Sequence, residues 1–301
     1  QTSSSGYHSF LTHQEEAINA LEETESRMNV TRFYWDNFNC DMSGGSRRYP
    51  DVTAAITKKF TEGSLIFNYL GHSSYNAISA EHSYSISQVQ SIYNKIYPVW
   101  FAGSCNLSQY DDFRSSFGEE IMLNPNGGAI ASIGAVRTAY ASPNLSLSKD
   151  FLRQAFNPDN EYRLGKIYRA CKTARGQDSN KMVYILLGDP GLKLKVPELN
   201  LVIDSIVVLN TDGTAVKSDT LKALSKVKIS CHVEDETGNI MKQFNGIVNA
   251  TLKDKKVKAF TKGNKNGINP FTYYDRQSTL YSGSTIVTNG VFELQIIIPK
   301  D

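Results

Sequence analysis

Through the first two thirds of the chain, short continuous apolar runs alternate with stretches whose apolar residues recur every three or four positions. Leu65-Ile-Phe-Asn-Tyr-Leu70, Val99-Trp-Phe-Ala-Gly103 and Gly128-Ala-Ile-Ala-Ser-Ile133 read as buried strands, and Val30-Thr-Arg-Phe-Tyr-Trp35 as another. Between them lie helical patterns. Thr12 and Glu15 have the spacing of a capping box ahead of Ala17, Ile18 and Leu21. Pro50 and Asp51 suit the first turn of a helix running through Val52, Ala55, Ile56 and Phe60 to Gly63. Further helices are expected over 87–94, 117–123 and 145–156. Strands separated by helices imply an α/β domain with a mainly parallel sheet covered on both faces.

After Pro197 the helical period disappears. Short β-rich runs at 201–209, 227–233, 247–252, 257–261 and 291–298 are separated by turn signals at Asp212-Gly213, Thr237-Gly238-Asn239 and Asn289-Gly290. This spacing predicts an immunoglobulin-like β-sandwich. The expected domains are therefore 1–197 and 198–301.

Composition narrows the function classes. The 301 residues are 40% hydrophobic and 21% charged, with a net charge of +2, which argues against a dedicated nucleic-acid binder. No apolar run approaches the roughly 18 residues of a membrane span, and no charged leader opens the chain. Gln1-Thr-Ser-Ser-Ser-Gly6 reads as a loop, so an α/β core that draws on strands upstream is expected. The cysteines, Cys40, Cys105, Cys171 and Cys231, show neither CxxC nor another metal-ligand spacing, which argues against zinc. Cys171 falls at an inward helical position and Cys231 within a strand, both structural placements. The basic run 253–258, with Lys262 and Lys265 nearby, reads as a solvated sheet edge.

Two of the strands end in residues with chemistry. The 65–70 run is followed by Gly71-His72-Ser73-Ser74, and the 99–103 run by Ser104-Cys105. Alone, a cysteine after a strand is usually a small buried hydrophobe and a histidine usually a structural hydrogen-bonder. Together they occupy the carboxyl ends of parallel-type strands, where open α/β sheets place their sites. The segment between them is long enough for a crossover that makes the strands neighbours. A thiolate nucleophile beside an imidazole is the chemistry of a cysteine hydrolase or transferase.

Several motifs carry a resemblance. Phe67-Asn-Tyr-Leu-Gly-His72, Gly103-Ser-Cys105, Phe117-Gly-Glu-Glu120, Asn124-Pro-Asn-Gly-Gly-Ala-Ile-Ala131 and Leu186-Leu-Gly-Asp-Pro-Gly-Leu192 resemble the gingipain family of cysteine peptidases. Arg48-Tyr-Pro-Asp-Val52, Tyr110-Asp-Asp-Phe113, Phe244-Asn-Gly246, Asn289-Gly-Val-Phe292 and Pro299-Lys-Asp301 extend the likeness over nearly the whole chain. Within the family the likeness points to the sortases of the type IX secretion system. It implies a caspase-like α/β peptidase domain followed by an immunoglobulin-like domain, on the extracellular side of a bacterial outer membrane. Such sortases cleave the C-terminal sorting domain from secreted cargo and transfer the new carboxyl terminus to an amine of anionic lipopolysaccharide, working with other attachment-complex subunits.

The resemblance makes Cys105 the nucleophile and His72 the general acid and base, with the backbone N–H groups of Cys105 and Ser73 as oxyanion-hole candidates by position. No cofactor is required, although a structural calcium is compatible with the loop. Family members often have Gly-His-Gly where this chain has Gly71-His72-Ser73, which reduces backbone freedom beside the histidine. An Asp-rich loop common in relatives is replaced by serines at 2–6, leaving Glu15 and Glu16 as candidates for a third, histidine-orienting member. Asp111 and Asp112 are candidates for substrate binding or calcium, with loop capping as the plainer role. Asp189 is expected to fix a turn and Arg137 to brace a loop. A catalytically degenerate docking subunit is the alternative reading, motivated by Ser73 and the serine-rich opening.

Overall fold

The computed structural model describes residues 8–210, 212–218, 220–264 and 268–300. The serine-rich opening and Lys265 lie outside these. The chain divides into two compact units, Gln1–Val196 with Phe260–Thr272, and Pro197–Ala259 with Tyr273–Asp301.

In the first unit, helix α1 (Ser9–Thr24) and helix α2 (Pro50–Glu62) precede strand β1 (Ile66–Leu70), followed by a small β2–β3 hairpin (Ala77–Ile78, Tyr84–Ser85) and helix α3 (Ile86–Gln90). Strand β4 (Val99–Gly103), helix α4 (Phe117–Leu123), strand β5 (Ala131–Ala135), helices α5 (Ala141–Ala155), α6 (Leu164–Ala174) and α7 (Ser179–Val183), and strand β6 (Tyr184–Leu187) complete the run. The sheet order is β1-β4-β5-β6; β1, β4 and β5 are parallel and β6 is antiparallel to β5.

Period-two alternation on β4 explains why the sheet is covered on both sides. Val99 and Phe101 enter a core with α1, α5 and α6 residues such as Ala17, Phe151 and Ile167. Trp100 and Ala102 enter a second core with Ile56 and Phe60 of α2, Val89 of α3 and Phe117 and Ile121 of α4. Phe101 stacks on Phe151 at 4.9 Å between centroids, while Trp100 meets Phe117 at 5.3 Å.

Local expectations fare unevenly. Pro50 and Asp51 do open α2, which Gly63 ends. α1 starts earlier than the Thr12 box implies, with His8 as its cap, and the Glu15 carboxylate goes to Arg32 and Tyr34 instead of closing a capping box. The 30–35 segment joins no sheet: Arg32 and Tyr34 tie it to α1 through side chains, and Trp35–Asn37 then forms a single 3₁₀ turn. α3 is shorter than 87–94 and carries a Ser85/Gln88 capping box.

The second unit holds a four-stranded antiparallel sheet ordered β14-β9-β7-β8, made of Val291–Ile297, Lys226–Glu234, Asn200–Leu209 and Ala215–Lys217. Strands β10 (Gly246–Lys253) and β13 (Thr279–Val287) pair separately, as do β11 (Val257–Phe260) and β12 (Thr272–Asp275). Val227, Val233, Val287 and Phe292 share one core. The β13–β14 connection is the two-residue turn read from Asn289-Gly290: both have positive φ, 53° and 76°, and Thr288 and Val291 exchange backbone hydrogen bonds across it.

Candidate active site

Strand register sets the loops that carry His72 and Cys105 side by side. The last paired residues of β1 and β4 are Leu70 and Gly103, and Gly71 N–H still reaches the Gly103 carbonyl at 3.4 Å. His72 and Cys105 each lie two residues beyond that pair. The loops stay in contact there, because Ser73 Oγ donates to the Cys105 carbonyl at 2.5 Å. The residue that departs from Gly-His-Gly is thus the one that ties the histidine loop to the cysteine loop.

The turn carrying Cys105 is tight. Asn106 has φ 56°, in the left-handed region that asparagine tolerates better than most residues, and its N–H donates to the Arg137 carbonyl at 3.1 Å. Leu107, next along, is fully buried and anchors the turn in the core. Cys105 itself is half-buried. Its Sγ lies 3.3 Å from the Ala139 carbonyl, which accepts the thiol proton, and Ala139 N–H donates to the sulfur at 3.4 Å.

His72 is exposed, and its ring meets Phe10 edge-on at 5.0 Å. The His72 carbonyl accepts from Tyr69 Oη at 2.6 Å and from Ser79 N–H at 2.8 Å, so the loop is held by its backbone. Burial pushes the Tyr69 phenol well above its usual range and keeps it a donor. His72 also borders a cavity of about 620 Å³ lined by Phe10, Trp35, Arg48, Tyr69 and Glu81, among others.

The hydrogen bonds of the small bridge between Ser73 and Ile78 run through the flanking residues, Ser79 N–H to the His72 carbonyl and Ser74 N–H to the Ala77 carbonyl. Among the described residues, no protein acceptor takes the N–H of Ser73 or of Cys105.

The carboxylate candidates are committed elsewhere. Glu15 accepts from Arg32 Nε at 2.8 Å and from the Tyr34 hydroxyl, and Glu16 pairs with Lys149 at 3.6 Å. Among the described residues no carboxylate lies at ion-pair distance from His72; α1 offers it Phe10 instead. Asp111 is gripped by Nη1 and Nη2 of Arg137, at 2.8 and 2.5 Å, and Asp112 by Nε and Nη2 of Arg114 at 3.1 and 3.2 Å. These arginines hold both carboxyls below the usual range. Both pairs are loop braces, and no group of three or more His, Cys, Asp or Glu side chains suited to a metal occurs among the described residues. Asp189 caps its own turn, accepting from Gly191 N–H at 2.7 Å.

All four cysteines are free thiols. Burial pushes the thiol of Cys171 far up and that of Cys231 up, which suits their structural positions. Among the described residues no helix is long and apolar enough to cross a membrane.

Residues 2–195 match the model of peptidase family C25. The chain belongs to that family. No curated protein matches it. Among solved structures, the crystal structure of the Arg-specific cysteine proteinase gingipain R is 17% identical over 97% of this chain and 56% of its own, with a TM-score of 0.49. The complex of Porphyromonas gingivalis RgpB pro- and mature domains gives 14%, 96%, 57% and 0.48. Dimeric latent PorU from Porphyromonas gingivalis is 24% identical but covers 58% of this chain and 17% of its own, with a TM-score of 0.31. The chain thus spans a little over half the length of the gingipain R structures. The PorU structure scores below both of them, so a nearest likeness to the secretion sortases, expected from the motifs, is not supported.

Sequence reasoning missed Phe10, Ala139, and Asn180 with Asn144, the first bonded to the Tyr140 backbone next to Ala139 and the second to Asn180. Nothing in their local pattern marks them: their roles arise from helix packing and from a loop that returns to the sheet after β5.

Proposed function

We propose that this chain is the catalytic part of a cysteine peptidase in which Cys105 attacks the scissile carbonyl and His72 moves the protons. The observation that carries the reading is the strand register, which puts both residues two positions past a paired Leu70 and Gly103, with Ser73 bonded to the Cys105 carbonyl. Attack gives a thioester as His72 protonates the leaving amine; His72 then takes a proton from the incoming nucleophile. The Ser73 and Cys105 N–H groups are the donors for the oxyanion. With Glu15 and Glu16 engaged elsewhere, the reading is a dyad.

The thioester can be resolved by water or by an amine. The finer reading, supported by the sortase-like motifs, is transfer of a cargo carboxyl terminus to an amine of anionic lipopolysaccharide at the cell surface after removal of a C-terminal sorting domain. In this reading the second unit is an immunoglobulin-like sandwich, in keeping with its four-stranded sheet and separate strand pair around a shared core.

The test uses the whole chain, heat-denatured casein as substrate and mass spectrometry of the products with and without added glycinamide. Cys105→Ala and His72→Ala are expected to lose ~10³-fold or more in rate. Wild-type rates from Cys105→Ala would overturn the peptidase assignment. Products carrying glycinamide at new carboxyl termini would support transfer; hydrolysis alone would confine the activity to cleavage.

A further inference from the structure

The Ala139 backbone that touches the Cys105 sulfur is held from behind by one buried side chain. Asn180, at the start of α7, accepts from Tyr140 N–H through Oδ1 at 3.0 Å and donates through Nδ2 to the Tyr140 carbonyl at 2.7 Å. The same Nδ2 donates to Asn144 Oδ1 at 2.7 Å, and Tyr184 Oη donates to that oxygen at 2.6 Å. Asn180, Asn144 and Tyr184 are 2%, 3% and 0% exposed. Burial keeps the Tyr184 phenol protonated, so its direction of donation is fixed.

Peptide planarity connects this network to the thiol. The Ala139 carbonyl and the Tyr140 N–H belong to one peptide unit, and in a trans unit they point in opposite directions. Asn180 grips the N–H edge, and the carbonyl edge faces Cys105 Sγ at 3.3 Å. Rotation of that peptide would carry the carbonyl away from sulfur and leave Tyr140 N–H without its buried acceptor. Resting on the reading of Cys105 as nucleophile, we propose that Asn180, braced by Asn144 and Tyr184, is a positioning residue. It fixes the Ala139–Tyr140 peptide so that Cys105 rests in one rotamer, its S–H on the Ala139 carbonyl.

The direct readout is the S–H stretching band of Cys105, isolated as the infrared difference between the wild type and Cys105→Ala. In the wild type it lies on the hydrogen-bonded, low-frequency side. In Asn180→Ala it is expected to move toward the free-thiol position, while kcat on heat-denatured casein falls about tenfold and KM stays within about twofold. Tyr184→Phe removes one hydroxyl and little packing, and is expected to move the band the same way by less.

Asn160→Ala is the control, a buried asparagine whose side chain donates to Gln154, at the opposite end of α5 from Asn144. It is expected to leave the band in place. An unmoved band in folded Asn180→Ala overturns the proposal, as does an equal shift in Asn160→Ala. If Asn180→Ala does not fold, an unmoved band in Tyr184→Phe overturns it. The band requires no turnover, so this failure is distinct from a Cys105→Ala variant that still digests casein.

Discussion

Ser73→Ala tests whether the departure from Gly-His-Gly has become part of the site. The substitution removes the Oγ that donates to the Cys105 carbonyl at 2.5 Å and leaves the Ser73 N–H in place. A buried acceptor deprived of its partner costs about 1–3 kcal/mol. Both loops are half-buried, so water recovers part of this, and about 1 kcal/mol is expected as looser alignment of His72 with Cys105. At about 1.4 kcal/mol per tenfold, that corresponds to a roughly fivefold lower kcat. The assay is the initial rate on heat-denatured casein across substrate concentrations, with KM nearly constant because the lost contact touches no substrate. Ser73→Thr retains the hydroxyl and should stay within about twofold of wild type. A Ser73→Ala enzyme at full speed, or a Ser73→Thr enzyme as slow as Ser73→Ala, would refute the reasoning.

Iodoacetamide at neutral pH should label Cys105 well before Cys171, whose thiol is buried and pushed up, as read by peptide mass spectrometry over time; equal rates would contradict the burial. Gly128→Ala should lower the thermal midpoint by the equivalent of about 2 kcal/mol or more, because φ is +95° there and a Cβ would lie 2.0 Å from the Ile121 carbonyl oxygen. His232 is bonded by Glu234 at 2.8 Å and Asp204 at 2.7 Å, which raise its pKa above 6.5. A raised folded-state value means that its stabilisation is complete below about 6.5 and is lost as pH climbs through the folded value. The thermal midpoint of the whole chain should therefore fall as pH rises from about 6.5 through the raised value, and the fall should flatten in His232→Gln.

Where local pattern and tertiary demand agreed, the sequence was legible. The apolar runs of β1, β4 and β5 name buried strands because a doubly covered sheet needs continuous hydrophobicity, and that placed His72 and Cys105 at the same sheet edge. The 30–35 run has the same β-rich composition yet pairs with nothing, since its Arg32 and Tyr34 satisfy Glu15 rather than a neighbouring strand. Glu15 looked available for His72 for the same reason: sequence shows a carboxylate but not the guanidinium that takes it. The Asn180 clamp depends on a side chain reaching backbone forty residues away, which no local period encodes.

The segment Phe260–Thr272 belongs to the first unit although nearly all the residues between it and Val196 belong to the second. Asp36, itself buried, accepts from Gly263 and Asn264 N–H at 2.8 and 2.7 Å across separations of 227 and 228 residues. Loop closure over such a span is slow relative to local contacts. On the ribosome, the unit that contains His72 and Cys105 must therefore wait, incomplete, until the chain has passed residue 272. The order of synthesis becomes a delay on the completion of that unit.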